Sequence, residues 1–239
     1  MSFKNVHFIL ITGGPWSGKN TQGEKLAYEY GFGFIDMGGY VRKVLSGDHA
    51  FVDVLQNPYL KESLQKAMNT GHLLPDDIID TLFQMEVTRV IRGRECHTKH
   101  LPIVVCGYPR TIAQGASFMR HWSRLGVVHL FLDGDKELFQ KRMLKGRGAT
   151  EVRKDDLSDL FEKRWSEFQN KTLPLINRLC LQQGRDFHNC HVHITELSTI
   201  ENVGKRIRQM LALPRDRNGK ARGDRNFVGA MPATASVMV

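Results

Sequence analysis

The most constraining stretch of the chain runs from Val6 to Thr21. There the apolar run Phe8-Ile9-Leu10-Ile11-Thr12 breaks into Gly13-Gly14-Pro15-Trp16-Ser17-Gly18-Lys19-Asn20-Thr21. An unbroken apolar run before a glycine-rich turn predicts a strand buried on both faces, as in a parallel sheet. The turn opens a helix that begins near Lys19 and continues through Gln22, Leu26 and Tyr30. Backbone N–H groups of such a turn converge on one point, where the positive end of the helix dipole adds to them, and a phosphate fits that point. Gly13 and Gly18 stand at Walker A spacing, with Lys19 placed to reach a β- or γ-phosphate oxygen. The strict pattern then asks for Ser or Thr and meets Asn20.

Composition narrows the class. A chain of 239 residues suits one α/β domain with inserted subdomains, and 41% hydrophobic with 25% charged residues is ordinary for a soluble fold. The net charge of +9 points to nucleic acid or to an enzyme that clamps phosphorylated substrates. Part of it lies in the tail, where Arg215, Arg217, Lys220, Arg222 and Arg225 exceed Asp216 and Asp224 by three. Cys96, Cys106, Cys180 and Cys190 have no C-x-x-C spacing, so a reducing compartment and no structural metal are expected. With neither a secretory leader nor an apolar run of membrane-spanning length, the expected location is the cytoplasm, with no membrane partner.

The motif Gly-Gly-Pro-x-Ser-Gly-Lys-x-Thr-Gln resembles the variant loop of adenylate kinases and related nucleoside monophosphate kinases, in which the hydroxyl residue follows the lysine by two places, here Thr21. The resemblance implies that Gly14, Pro15, Trp16, Ser17, Gly18, Lys19, Asn20 and Thr21 bind ATP. The family usually has Gly where Trp16 and Asn20 stand, and the Trp16 side chain is expected to point out of the loop. After a short strand, Gly33–Asp36, a turn at Met37-Gly38-Gly39 is expected to lead into a helix bearing Arg42. The family carries Ser-Thr-Gly-Asp-x-x-Arg here. Gly38 and Arg42 match, which implies that Arg42 binds the phosphate of the acceptor, while Met37 replaces the threonine that lines its base pocket.

Residues 58–94 have helical periodicity in two pieces, with a corner around Leu74-Pro75-Asp76. By resemblance the corner, with Leu74, flanks the monophosphate. The apolar run Leu101–Cys106 predicts a central strand, and Gly107-Tyr108-Pro109-Arg110-Thr111-x-x-Gln114 follows it. Adenylate kinases have Asp-Gly-Phe/Tyr-Pro-Arg-Thr-x-x-Gln, which implies that Gly107 and Arg110 bind the monophosphate, Arg110 gripping its phosphate, and that Gln114 reads adenine through its amide. The leading Asp, which holds magnesium through water, is Cys106 here. A thiol is no ligand for a hard cation. Two readings stay open: Mg²⁺ is carried by the ATP phosphates and waters, or the protein binds nucleotide and turns it over poorly.

A fourth strand is expected at Val127–Leu132, then a helix from Lys136 to Lys145 bearing Arg142, and another bearing Arg164. Between them, Arg147 and Arg153-Lys154-Asp155-Asp156 resemble the lid of short-lid monophosphate kinases. Arg147 lies five places after Arg142, where the family more often has four. A helix with a proline-marked bend over Phe168–Leu181, a last strand at His191–Ile194 and a final helix through Val203 and Leu211 complete the domain.

The fold expected is α/β: a P-loop, three-layer αβα domain over residues 1–213 with a five-stranded parallel sheet, a helical monophosphate-binding insert at 37–94, a short lid at 146–156 and a flexible basic tail at 214–239. The resemblance implies transfer of the γ-phosphoryl of ATP, with Mg²⁺, to a nucleoside monophosphate, AMP first. Lys19 would hold the ATP phosphates with Arg147, Arg42 and Arg110 the acceptor, and Arg142, Arg153 and Arg164 the moving group. The expected state is a monomer that does not act on nucleic acid.

Overall fold

The computed structural model describes residues 6–46, 58–70, 72–93, 101–122, 126–145, 158–182 and 187–213. Five strands, β1 (Val6–Gly13), β2 (Gly33–Asp36), β3 (Leu101–Cys106), β4 (Val127–Asp133) and β5 (Phe187–His193), form one sheet in the order β2-β3-β1-β4-β5. Every pairing is parallel. Parallel neighbours need crossovers, and helices supply them: α1 (Lys19–Tyr30), α2 (Met37–Leu45), α3 (Pro58–Thr70), α4 (Asp76–Arg92), α5 (Ile112–Trp122), α6 (Lys136–Leu144), α7 (Ser158–Glu167), α8 (Leu173–Cys180) and α9 (Ile200–Met210).

Strand side chains alternate between faces, and each face of β1 meets its own core. Phe8 and Leu10 enter a cluster with Phe83, Phe118 and Trp122. Ile9 and Ile11 enter another with Leu26, Phe139 and Trp165. Phe8 lies edge-on to Phe118 and Trp122, with ring centroids 5.4 and 5.5 Å away. Each such buried aromatic contributes roughly 2–3 kcal/mol by area alone. The three-layer αβα architecture expected from the sequence is thus present.

Three local differences have physical causes. No turn separates β2 from α2: the helix begins at Met37, because Asp36, ending the strand, caps it by accepting from the Gly38 N–H at 3.1 Å. The last strand starts four residues before the expected His191, at Phe187, which pairs with Val127. Ile194 lies past its end, with its N–H bonded to the Asp133 carbonyl at 2.7 Å. The bend before Pro174 is a π-helical turn, Phe168–Thr172, which joins α7 to α8.

The chain leaves β1 toward one side of the sheet and crosses from β3 to β4 toward the other. The carboxyl ends of β1 and β3 are therefore the topological switch point, where open α/β sheets bind ligands. The loop after β1 contains Lys19's turn, and the loop after β3 contains Arg110.

Candidate active site

A cavity of about 740 Å³ opens at this switch point, within the size range of small-molecule sites. Its floor is the loop between β1 and α1. Gly18 adopts φ 89° and Trp16 φ 61°, both in the left-handed region, so the loop has the tight curl that turns successive N–H groups inward. The conformation is ordinary for the glycine and uncommon for the tryptophan. The Trp16 side chain, expected to point out of the loop, is half-buried against the second core cluster and borders the cavity. Pro15, Ser17, Asn20 and Thr21 border it as well. Gly14 instead faces the core, where a Cβ would stand 2.9 Å from the Trp165 ring. The Ser17 hydroxyl is buried with no hydrogen-bond partner among the described residues, as suits an acceptor or donor held for a ligand.

Lys19 turns its ammonium back into the loop and donates to the Gly14 carbonyl at 3.0 Å. Its pKa falls to about 8, chiefly through desolvation and then through repulsion from Arg110, with Arg164 adding to it. Arg110 has its own pKa lowered by burial, by Arg164 and by Arg42. The structure thus brings Lys19, Arg42, Arg110 and Arg164 together from four separate segments, as mutually repelling cations. Such a cluster is relieved by a polyanion. Arg110 is aimed by its Nε–H, which donates to the Gly107 carbonyl at 2.9 Å. Gly107 itself has φ 84°, and a Cβ there would come 3.1 Å from Arg110 Nη2.

Gln114 is buried, and its amide is already oriented. Oε1 accepts from the Arg110 backbone N–H at 2.7 Å, and Nε2 donates to Asp76 Oδ1 at 2.7 Å. One N–H of the amide is left for a ligand. Met37, Gly38, Leu74 and Gln114 border the same end of the cavity as Arg42 and Arg110. Arg142 borders the cavity too; it donates to the Ser198 carbonyl at 3.2 Å, and only burial lowers its pKa. Arg147 and Arg153, with the rest of the expected lid, lie outside the described residues, as does the tail 214–239.

Sequence reasoning assigned no role to four parts of this wall. Asp36 borders the cavity beside the cations. His72 Nδ1 and Glu167 Oε1, 95 residues apart, are hydrogen-bonded at 2.9 Å and link the α3–α4 corner to the end of α7. Phe168 and Thr172 of the π-helical turn, and Ser198 to Ile200 after β5, complete the lining. No spacing rule marks residues that only the fold brings together, although Asp36 stands in the motif that contains Arg42.

Cys106 ends β3 but does not border the cavity. Its thiol is fully buried under α1, donates to the Lys19 carbonyl at 3.4 Å, and is pushed well above its usual pKa by burial. A neutral buried thiol does not bind Mg²⁺. Side-chain oxygen donors that border the cavity around the loop and the cation cluster include Ser17, Asn20, Thr21 and Asp36. No group of three or more metal-ligating side chains occurs among the described residues. The set fits a cation that arrives with phosphate and water ligands of its own. No described helix is long and apolar enough to cross a membrane.

Comparison with known proteins agrees with this geometry. The sequence profile of the family described as adenylate kinase matches residues 11–183. The chain is 31% identical over 176 residues to adenylate kinase isoenzyme 1 of Homo sapiens, covering 72% of this chain and 80% of that protein. It is 30% identical over 174 residues to adenylate kinase isoenzyme 1 of Oryctolagus cuniculus, with the same coverage. Against the adenylate kinase of Porphyromonas gingivalis it is 28% identical over 203 residues, 83% of this chain and 92% of that one. With a profile match across more than half its length and a Lys19–arginine cavity at the switch point of the sheet, the chain belongs to the adenylate kinase family and is an enzyme of the nucleoside monophosphate kinase class.

Proposed function

We propose that the enzyme transfers the γ-phosphoryl of ATP to AMP, giving two ADP. The observation that carries this reading is the cluster of Lys19, Arg42, Arg110 and Arg164 in one cavity, where two phosphorylated substrates would offset the repulsion. An oxygen of the acceptor phosphate attacks the γ-phosphorus as the bond to the β-phosphate oxygen breaks. No side-chain nucleophile is needed, so the protein's work is positioning and charge stabilisation.

In this reading Lys19 and the loop N–H groups hold the ATP phosphates, Arg42 and Arg110 hold the acceptor, and Arg164 meets the moving group. Arg147 and Arg153 would join from the lid at 146–156, closing over the insert at 37–94 and excluding water. Gln114 offers its remaining N–H to the acceptor base among Met37 and Leu74. The end of the cavity with Arg142 and Ser198–Ile200 suits the donor nucleoside. Mg²⁺ bound with ATP supplies neutralisation of the β- and γ-phosphates, and Thr21 and Asp36 are the residues that would hold it. Cys106, turned away under α1, takes no part in the site, so the cation would be held without it. A soluble monomer in the cytoplasm, serving nucleotide biosynthesis without nucleic acid, fits this chemistry.

A coupled assay of ADP formation with ATP, Mg²⁺ and each of AMP, GMP, CMP, UMP and dTMP tests the reading. Turnover with AMP that disappears in Lys19→Ala is expected. Activity with another monophosphate alone would overturn the substrate, and ATP binding without turnover on any acceptor would overturn the kinase.

A further inference from the structure

A phosphate site repels carboxylates, so a carboxylate inside one needs a partner that reverses the sign. Among the described residues the acids bordering the cavity are Asp36 and Glu167. Glu167 is engaged at the end of α7 by His72 and Lys171, each at 2.9 Å. Asp36 stands at the other position, within electrostatic reach of Lys19 and Arg110, with Oδ2 3.5 Å from Arg42 Nη2.

The backbone puts it there. Asp36 ends β2 in register with Cys106, which ends β3, so both side chains leave the same face of the sheet. The thiol retreats under α1 while the carboxylate borders the cavity. The chain also clears space for it. A Cβ on Gly39 would fall 2.8 Å from Asp36 Oδ2 and 3.2 Å from its Cγ, so the carboxylate occupies room that any side chain at position 39 would need.

We propose that Asp36 is the residue that positions the divalent cation accompanying ATP, the role for which β3 offers only a buried thiol. A hard cation between carboxylate and phosphates turns their repulsion into attraction, and Mg²⁺ sites commonly use one or two carboxylates beside substrate phosphates and waters. The assignment rests on the phosphotransfer reading above. Asp36 also caps α2 and faces Arg42, so its test must separate a charge that holds metal from one that holds structure.

Asp36→Asn keeps a capping oxygen for Gly38 and removes only the charge. With the full chain and ATP, Mn²⁺ is titrated and the free ion is read by electron paramagnetic resonance; ATP affinity without metal is measured in parallel. The variant is expected to bind Mn²⁺ in the ATP complex about tenfold more weakly, as supporting carboxylates of metal sites do when lost, while its metal-free ATP affinity is unchanged or higher. Unchanged Mn²⁺ affinity, or equal weakening of ATP with and without metal, would overturn the proposal. Asp36→Ser, also a capping residue, repeats the measurement if Asn disturbs the fold. Wild-type protein that binds no ATP would overturn the phosphotransfer reading itself and this assignment with it, whereas wild type that binds metal–ATP beside an indifferent variant would overturn this assignment alone.

Discussion

Asp76 Oδ1 accepts from Gln114 Nε2 at 2.7 Å, and so ties the first turn of α4 to the loop that carries Arg110. The same oxygen accepts from the Thr111 hydroxyl at 2.9 Å, while Gln114 Oε1 holds the Arg110 backbone. In the proposed reaction, the position of the acceptor phosphate would therefore depend on a carboxylate that need not touch substrate. Asp76→Ala is expected to raise KM for AMP about tenfold, since hydrogen bonds to a charged group contribute roughly 1.5–3 kcal/mol, and to leave ATP affinity within about twofold. Steady-state kinetics with each substrate varied, beside ATP titration, reads both.

If Lys19 holds the ATP phosphates as proposed, binding of metal-free ATP should be sensitive to pH. The protonated ammonium is the form that attracts phosphate, and desolvation with Arg110 lowers its pKa to about 8 in the ligand-free protein. Below that pH the proton is already in place; above it, ATP must bring a proton with it. Affinity should stay level from pH 6.5 to 7.5 apart from ionisation of ATP itself, then fall toward tenfold per pH unit above about 8. Calorimetry in buffers of different ionisation enthalpy should show proton uptake at pH 9, absent in Lys19→Met.

The sheet was legible because β1, β3 and β4 are predominantly apolar runs, β4 broken only by His129 before Asp133 ends it, and only strands covered on both faces need them. The start of β5 was not. Phe187-His188-Asn189-Cys190 reads as polar because this edge strand spends Asn189 on the carbonyls of Leu179 and Gln182. The loop after β1 and the Arg110 loop could be found by spacing, since each is a single segment. His72, Glu167 and Ser198–Ile200 could not, because the cavity draws them from segments distant in sequence, and Asp36 lay inside the Arg42 motif at a place where spacing gave it no role. Arg142 shows the same limit: its helix was legible, but whether it joined Arg110 or Ser198 depended on the direction of a side chain.

His129 makes stability depend on pH from inside the sheet. It is fully buried on β4, with Nε2 2.8 Å from Thr12 Oγ1 and Nδ1 2.9 Å from Asn189 Oδ1, and burial lowers its pKa to about 4. The unfolded chain takes a proton near pH 6.5, whereas the folded chain resists until about 4. The stabilisation is therefore complete above pH 6.5 and is lost as pH falls toward 4, by ~3 kcal/mol if this group acts alone. Urea unfolding at pH 7.5 and 4.5 should show that loss in wild type and a smaller one in His129→Gln.

Gly23 sets how closely α1 can lie on β3. A Cβ at this position would stand 2.7 Å from Cys106 Sγ and 3.1 Å from the Phe34 ring, so even alanine overlaps the thiol. Interior overpacking of this kind costs roughly 1–3 kcal/mol. Gly23→Ala should lower the urea midpoint accordingly and, because Lys19 opens the same helix and its carbonyl accepts from that thiol, weaken ATP binding as well. Cys106→Ala removes the sulfur from the overlap. In the double variant the two losses should sum to less than their separate values, a coupling that unfolding of the four proteins measures directly. Strict additivity would mean that α1 moves away from the strand as a unit, and that the thiol does not set its distance.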